Sequence, residues 1–322
     1  MTARHLLDVD DLAPDELDAV LALAERPELP RSLAGHGVAM LFEKPSARTR
    51  NATELAVFGL GGHPLYQQGA EVGLDTREPA EDVARTLACY HRMLCARVFE
   101  HGTLVRMAHA IDAGGFEVPV VNLLSDRAHP CQSVADLLTL RETLGRGDHA
   151  PTALAGHSIA YVGDANNVCR SLAKAAVMAG MAVRVGAPAG YQMTDPEAEE
   201  VRRLAAEAGR GGTLLLTEDP AEAVKGAEAL YTDVWTSMGQ EDEAAVRRRS
   251  FAGYGIDVRL LGLASPAAVV LHCLPAHRGE EISAEVLEGP RSVVWRQAAH
   301  RLTAMRGLLA WLVDAGTGDG PA

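Results

Sequence analysis

Short apolar runs alternate with helical stretches along most of the chain, and this alternation limits the possible folds more than any other feature. Short, nearly continuous apolar strands separated by helices are typical of parallel sheets with helices on both faces. The pattern predicts strands at residues 38–42, 65–66, 93–98, 118–123, 159–162, 182–185, 213–216, 229–231 and 268–272. It predicts helices at residues 14–25, after Arg50, and at 80–90, 103–110, 132–144 and 297–313.

The alternation stops at a loop rich in glycine and proline, residues 145–156, and then restarts. A single hydrophobic core stops growing at about 250–300 residues. A chain of 322 residues is therefore expected to form two domains. The predicted fold class is α/β, with two doubly wound domains, each a parallel β-sheet flanked by helices, joined by the long helix at 132–144.

The composition argues against several kinds of partner and location. The formal net charge of −13 argues against nucleic acid and against an anionic membrane surface as partners. The sequence has no apolar run of about 20 residues and no basic-then-apolar start, so no membrane span or secretion signal is predicted. The five cysteines are widely spread and form no C-x-x-C pair, which predicts reduced thiols in a cytoplasmic protein.

Against this acidic background, residues 46–50 form a stretch rich in arginine and hydroxyl groups, Ser-Ala-Arg-Thr-Arg. The stretch follows a predicted strand and leads into a helix, whose first N–H groups and dipole attract anions. Basic side chains are unfavourable at that end of a helix, so Arg48 and Arg50 are expected to require a counter-anion. A planar guanidinium binds two oxygens at once, which favours a phosphate. The alternative is a solvated basic turn.

Other polar clusters follow predicted strands, where open α/β sheets bind their ligands. They are Arg97 and residues 125–132, 163–167, 233–239 and 272–279. Taken singly, each cluster also has a structural interpretation. Asn166 and Asn167 are typical helix caps, and Cys273 could be a buried structural cysteine because a nucleophile needs a neighbouring base.

Two common kinds of site are disfavoured. No G-x-G-x-x-G follows a strand and no G-x-x-x-x-G-K-[ST] occurs, so the usual dinucleotide and nucleoside-triphosphate sites are not supported, and a Rossmann-type dehydrogenase is disfavoured. His272, Cys273 and His277 invite a zinc site. Adjacent residues of a strand point to opposite faces, so His272 and Cys273 are not expected to converge on one ion. No metal is predicted.

Taken together and in this order, the clusters resemble the carbamoyltransferase family. Residues 42–50 resemble its carbamoyl-phosphate signature, and His-Pro-Cys-Gln at 129–132, followed by Asp136, resembles its second motif. Asp233 with Ser-Met-Gly at 237–239, and His-Cys-Leu-Pro at 272–275, resemble the branch of the family that acts on ornithine. The resemblance extends from about residue 5 to residue 313.

The resemblance implies transfer of the carbamoyl group from carbamoyl phosphate to the δ-amine of L-ornithine, giving L-citrulline and phosphate in arginine biosynthesis. No metal or organic cofactor is implied. It further implies a carbamoyl-phosphate-binding domain at residues 1–136, to which a C-terminal helix at 300–322 returns, and an ornithine-binding domain at 137–299. A homotrimer is implied, with no nucleic-acid or membrane partner.

The site residues follow from matching this sequence to the family's motifs. The phosphate is expected at Ser46, Arg48, Thr49 and the backbone of Ala47. The carbamoyl group is expected at Arg97, His129, Gln132, Cys273, the backbone of Leu274, and Arg301. The amino and carboxylate groups of ornithine are expected at Asn167, Asp233, Ser237 and Met238.

Three of these residues are given catalytic roles. Attack by an amine puts negative charge on the carbonyl oxygen, and Arg97 and His129 are suitable donors to it. The resemblance gives Cys273 the role of proton acceptor beside the reacting δ-amine.

Several residues depart from the family's pattern. Ala47 stands where threonine is usual, and Ala165 stands where glycine is usual. Gly-Leu-Asp at 73–75 and Ala-His at 299–300 replace the usual segments. The alternatives are a carbamoyltransferase for another amine, such as putrescine or an N-acylated ornithine, and a catalytically silent relative. Asp233 and the Ser-Met-Gly loop favour ornithine.

Overall fold

The structure is a computed structural model that describes residues 3–145, 149–236 and 241–315. The chain divides into two compact units. Unit 1 comprises Met1–Ala135 and His300–Ala322, and unit 2 comprises Asp136–Ala299. Each unit is a parallel sheet flanked by helices, so the predicted fold class is confirmed. Within the described ranges, no helix has both the length and the apolar character that crossing a membrane requires.

Unit 1 is built on a four-stranded sheet of order β2-β1-β3-β4 in which all neighbours are parallel. Its strands are β1 (Gly37–Phe42), β2 (His63–Gln68), β3 (His91–Arg97) and β4 (Val120–Leu124). Its helices are α1 (Pro14–Glu25), α2 (Ala47–Gly59), α3 (Gly69–Val72), α4 (Ala80–Ala88), α5 (His101–Ala113) and the start of α6 (Pro130–Thr143). The central strand β1 is buried from Val38 onward, as its continuous apolar run predicts.

The last helix of the chain, α13 (Val294–Ala315), belongs to unit 1 from His300 onward. There it approaches α1 very closely. A Cβ placed on Gly307 would lie 2.5 Å from the backbone nitrogen of Ala24, so a residue without a side chain is required at this contact. The prediction that the C-terminal helix returns to the first domain is confirmed.

Unit 2 is built on a five-stranded parallel sheet of order β7-β6-β5-β8-β9. Its strands are β5 (Ser158–Val162), β6 (Ala182–Gly186), β7 (Thr213–Thr217), β8 (Ala229–Thr232) and β9 (Val269–His272). Its helices are the end of α6, α7 (Asn167–Met178), α8 (Asp195–Ala208), α9 (Pro220–Val224), α10 (Ala244–Ser250), α11 (Val258–Leu261), α12 (Ala284–Leu287) and the start of α13. Because β5, β8 and β9 are neighbours and parallel, the loops that follow them leave the same edge of the sheet.

Candidate active site

In unit 1, the register of the sheet brings three polar loops to one edge. Phe42 pairs with Arg97, and Arg97 pairs with Leu124, so β1, β3 and β4 end side by side. Arg97 is the last residue of β3 and is buried. The segments that follow these strands contain Arg48 and His129, as the sequence predicts for the open edge of an α/β sheet.

The helix α2 begins at Ala47, so the prediction that it begins after Arg50 was wrong. The reason is Ser46, which has an extended backbone and caps the helix by accepting a hydrogen bond from the Thr49 N–H at 3.3 Å. Arg50 is the first residue whose N–H reaches a helical carbonyl, that of Ser46. The N–H groups of Ala47 and Arg48 therefore lie in the first turn, where a helix binds anions.

The two arginines of this turn have different surroundings. Arg50 donates from Nε to Glu54 at 2.8 Å and stacks on the ring of Tyr66, with 3.8 Å from Cζ to the ring centroid. The expectation that Arg50 requires a bound anion was therefore wrong, since Glu54 provides its counter-charge. Arg48 is exposed in the first turn of α2. It is the arginine of this stretch that stays a predicted phosphate ligand.

Arg301 on α13 connects the predicted carbamoyl-phosphate residues of unit 1. Its guanidinium donates to Gln132 Oε1 and lies 3.4 Å from both His129 Nε2 and Thr49 Oγ1. All four side chains are buried. The structure thus brings together residues from the starts of α2 and α6 and from the last helix of the chain. Hydrogen bonds from a charged guanidinium are stronger than neutral ones, so this group is well fixed.

The imidazole of His129 is held in its neutral form. Burial lowers its pKa well below the usual range, and the nearby charges of Arg301, Arg97 and Arg48 lower it further. A neutral imidazole donates one hydrogen bond and accepts one. The preceding loop is tied down because Ser125 N–H donates to the Ala128 carbonyl at 3.0 Å. The ring is therefore suited to donate one hydrogen bond to a carbonyl oxygen.

We expect the lowered pKa of His129 to make unit 1 less stable in acid. The unfolded chain, with an ordinary histidine pKa of about 6.5, binds this proton before the folded chain does. Stability from this group is thus complete above about pH 6.5 and falls below it, by at most about 1.4 kcal/mol per pH unit. Denaturant unfolding between pH 5 and 8 checks this: His129→Gln should show a flatter loss of free energy than the wild type. Equal slopes would contradict the buried neutral state.

In unit 2, Asp233 joins the ends of the three neighbouring strands. It follows β8, and its carboxylate accepts hydrogen bonds from Asn166 Nδ2 and from the thiol of Cys273, each at 2.9 Å. Asn166 follows β5, and Cys273 follows β9. Asp233 is buried, and Cys273 is half-buried. Of the predicted ornithine residues, Ser237 and Met238 lie outside the described residues.

Asn166 contacts a predicted site residue, Asp233, but was not itself predicted to be in the site. Its side chain caps α7, accepting from the N–H groups of Val168 at 3.0 Å and Cys169 at 3.2 Å, which confirms the capping interpretation. The same side chain also donates to Asp233. Asn167, the residue predicted to bind ornithine, is the first residue of α7 and accepts from the Val168 N–H at 3.0 Å. A cap signal at a strand end was the only indication of Asn166 in the sequence.

The segment after β9 is shaped by His272, a second residue that sequence reasoning did not assign. Leu274 adopts a left-handed backbone, with φ of 61°, and its N–H donates to His272 Nδ1 at 2.8 Å. Its carbonyl is therefore the backbone group that Leu274 can offer to a substrate. Because Nδ1 accepts, the ring proton lies on Nε2, which donates to Glu281 Oε1 at 3.0 Å. Both His272 and Glu281 are buried.

The prediction that the side chains of His272 and Cys273 would not converge on one metal ion was wrong. Strand β9 ends at His272, so the alternation of a strand does not continue to Cys273. The ligand atoms of Asp233, His272 and Cys273 lie within 4.8 Å of one another. Both ring nitrogens of His272 are already hydrogen-bonded, however. An ion bound here would have to break one of those bonds.

Comparison with known proteins identifies the family. A sequence profile described as "Aspartate/ornithine carbamoyltransferase, carbamoyl-P binding domain" matches residues 4–142. A second, described as the "Asp/Orn binding domain" of the same family, matches residues 155–312. The chain belongs to the aspartate/ornithine carbamoyltransferase family.

Similar proteins in this family carry the name ornithine carbamoyltransferase. The one from Acidothermus cellulolyticus is 49% identical, over 98% of this chain and 99% of its own. The Thermus thermophilus protein, whose crystal structure is known, shares 42% sequence identity over 97% of this chain and 100% of its own, with a TM-score of 0.83. The solved structure of the Pyrococcus furiosus protein shares 40% sequence identity over 96% of each chain, with a TM-score of 0.86.

One departure from the carbamoyltransferase pattern, residues 73–75, is anchored within unit 1. Asp75 has a left-handed backbone, with φ of 53°, and accepts from the Ala80 N–H at 3.0 Å. Its carboxylate also pairs with Arg106 of α5. The hydrogen bond from Arg106 lowers the pKa of Asp75, so the pair stays charged. The altered segment is therefore fixed to the helix layer of its own unit.

Proposed function

We propose that this member of the family is an ornithine carbamoyltransferase, which converts carbamoyl phosphate and L-ornithine to L-citrulline and phosphate. The observation that carries the proposal is the buried group of donors around Arg301, beside the capped start of α2. That arrangement suits a substrate with a phosphate at one end and a carbonyl oxygen at the other. The ornithine carbamoyltransferases that resemble the whole chain support the choice of amine.

The phosphate half of the proposal uses Ser46, Arg48, Thr49 and the N–H of Ala47. The leaving phosphate gains negative charge as the carbamoyl group departs, and the start of α2 with Arg48 favours that charge. Replacing the family's usual threonine by Ala47 removes a hydroxyl but keeps the backbone N–H, which is the group that the phosphate needs at this position.

The carbamoyl half uses Arg97, His129, Gln132 and Arg301. Attack by the amine places negative charge on the carbonyl oxygen, and preorganised donors stabilise that charge more than they stabilise the substrate. His129 can donate there because it is neutral and keeps one N–H. Gln132 is held by Arg301 and offers its amide to the carbamoyl group.

The ornithine half uses Asn167, Asp233, Ser237 and Met238. Cys273 and the Leu274 backbone, which are predicted to contact the carbamoyl group, are proposed to act beside the reacting amine. Asp233 supplies a carboxylate that suits the α-ammonium group of a free amino acid. The thiol of Cys273 donates to Asp233 in the structure. Cys273 can therefore accept the proton of the δ-amine only if its own proton passes to Asp233, so we propose that the two act as a pair.

We further propose the domain roles, the oligomeric state and the location that the family resemblance suggests. Residues 1–136 with 300–322 bind carbamoyl phosphate, and residues 137–299 bind ornithine. A homotrimer is supported by exposed apolar side chains on α2, since Leu55 and Phe58 keep 53% and 73% of their surface exposed. We also propose a role in arginine biosynthesis. A cytoplasmic location is supported by the five cysteines, which are all free thiols.

The test is carbamoyl transfer by the purified protein, followed as phosphate released and carbamoylated amine formed, with ornithine, putrescine and N-acetylornithine offered in parallel. We expect kcat/KM to favour ornithine by about 10³-fold or more, because an amine that leaves Asp233 unpaired loses binding free energy. Reactions without carbamoyl phosphate are the control. Preference for another amine would keep the carbamoyl half and refute the ornithine half. No turnover with any amine would favour the catalytically silent relative.

A further inference from the structure

A tight turn after the His272–Pro275 segment gathers three side chains of the kinds that bind metals. The Glu280 N–H donates to the His277 carbonyl at 3.0 Å, and the Gly279 N–H donates to the Ile282 carbonyl at 2.9 Å. Gly279 has φ of 91°, which glycine adopts without strain. As a result, one ligand atom each from His277, Glu280 and Glu281 lies within 4.8 Å of the others.

Only one oxygen of the buried Glu281 carboxylate accepts hydrogen bonds from the described residues. Oε1 accepts from His272 Nε2 at 3.0 Å and from the His277 backbone N–H at 2.6 Å. Oε2 is buried, and no donor among the residues that the structure describes lies within hydrogen-bonding distance of it. His277 Nδ1 lies 4.0 Å from this oxygen. A buried carboxylate oxygen without a partner costs free energy, and such an atom points to an ion or water that completes it.

The charges around the turn leave this position open to a cation. Glu280 is held through Oε1 by Arg248 at 3.2 Å, while its Oε2 lies 4.0 Å from His277 Nδ1. Arg278, the basic residue inside the turn, forms an ion pair with Glu288. The ligand atoms therefore combine two carboxylates with one imidazole nitrogen. That set matches the charge of a divalent cation.

We propose that His277, Glu280 and Glu281 bind a divalent transition-metal ion such as Zn²⁺, Co²⁺ or Ni²⁺. Imidazole selects these ions over Mg²⁺ and Ca²⁺, and carboxylates complete the set. Ligand atoms around a tetrahedral ion lie roughly 3.3 Å apart, given metal–ligand distances of about 2.0–2.2 Å. The observed 4.0 Å closes by small rotations of His277 and Glu280, whose side chains are 49% and 33% exposed. Solvent at His277 supplies the remaining ligand.

The bound ion would be connected to the segment that carries Cys273. Glu281 binds the ion through Oε2 while its Oε1 holds His272, and His272 in turn holds the Leu274 N–H. The ion would thus be separated from the backbone of Leu274 by two hydrogen bonds. Binding of an ion at the turn can therefore change the position of the backbone at Leu274, which belongs to the proposed ornithine half.

Titration of the full-length protein with Co²⁺, followed by visible absorption and by calorimetry, tests the site. His277→Ala and Glu280→Gln should each weaken binding by about 100-fold or more, because the loss of even an outer-shell partner of a metal ligand costs about 10- to 100-fold. Both side chains are partly exposed, so these variants should fold, which circular dichroism verifies. Glu281→Gln is avoided because Glu281 also holds His272 in the core. The matched control is His157→Ala, which removes another histidine–carboxylate pair of unit 2, that with Glu228 at 3.0 Å, and should leave binding unchanged.

The Asp233–His272–Cys273 group is the competing location, and the experiment separates the two. Binding there would give an ultraviolet thiolate-to-cobalt band and would be lost in Cys273→Ala. If the His277 and Glu280 variants bind Co²⁺ as tightly as the wild type does, the proposal is wrong. It is also wrong if the wild-type protein does not bind Co²⁺ at all. Citrulline formation is not the readout, so the outcome is independent of the proposed activity.

Discussion

Replacing Arg301 by methionine is expected to lower kcat/KM for carbamoyl phosphate by about 10³-fold, because the change removes a preorganised donor from the carbonyl oxygen. Methionine keeps much of the side-chain length and volume but loses the charge. It also releases Gln132, His129 and Thr49, which the guanidinium contacts. Steady-state citrulline formation, with carbamoyl phosphate varied at saturating ornithine, measures the effect.

The same variant has a second, independent readout. Arg301 is the charge that, after burial, contributes most to lowering the pKa of His129. Removing it should raise the pKa of His129 toward the ordinary value. A proton NMR titration of the ring should therefore show His129 becoming protonated at higher pH in Arg301→Met than in the wild type. This shift reports the position of the guanidinium without reference to activity.

Two further variants separate a chemical role from a structural one. Arg306→Met removes another arginine of α13, one that donates to the Pro27 carbonyl at 3.0 Å, and should leave kcat/KM within about two-fold of the wild type. Arg301→Lys keeps the charge but loses the planar fork and should recover only part of the activity. Wild-type activity in Arg301→Met, or an unchanged His129 titration, would contradict the role given to Arg301.

The periodicity of the sequence was sufficient to predict the fold class because it reports which residues are buried. The apolar run 38–42 became the central strand β1, and the run 159–162 became the central strand β5. The restart after residue 145 predicted two sheets. Strand ends then indicated where polar residues would meet, since parallel strands finish at one edge of a sheet. Arg97 lies at that edge as predicted.

Side-chain direction and distant partners could not be predicted from local patterns. The helix α2 starts earlier than its apolar residues indicate, because Ser46 provides a cap that periodicity does not register. Cys273 faces Asp233 only because β9 ends one residue before it. Arg301 reaches His129 although 172 positions separate them in the sequence, and only the family resemblance had connected the two. The His272–Glu281 pair had no sequence signal apart from its residue types.

Replacing Asp233 by asparagine is expected to lower kcat/KM for ornithine by about 10²–10³-fold while leaving the affinity for carbamoyl phosphate unchanged. Asparagine has nearly the same shape, but it loses the negative charge and one acceptor oxygen. Its amide nitrogen would face a donor, either Asn166 Nδ2 or the Cys273 thiol, both of which Asp233 accepts from. Removing one partner of a buried, hydrogen-bonded charge costs about 2–5 kcal/mol.

The distribution of this loss between kcat and KM tells which role Asp233 has. A rise in KM for ornithine with a fall in kcat is expected if Asp233 both binds the α-ammonium group and accepts the Cys273 proton. A fall in kcat alone would contradict the binding role.

The matched control is Asp219→Asn, which changes an exposed aspartate that caps α9, accepting from Ala221 N–H at 2.8 Å. It should affect stability by about 1 kcal/mol or less and leave ornithine kinetics unchanged. Calorimetric binding of carbamoyl phosphate completes the test, because its proposed phosphate ligands Ser46, Arg48 and Thr49 lie in unit 1. A large loss of carbamoyl-phosphate affinity would mean that Asp233→Asn had disturbed the fold rather than the ornithine half.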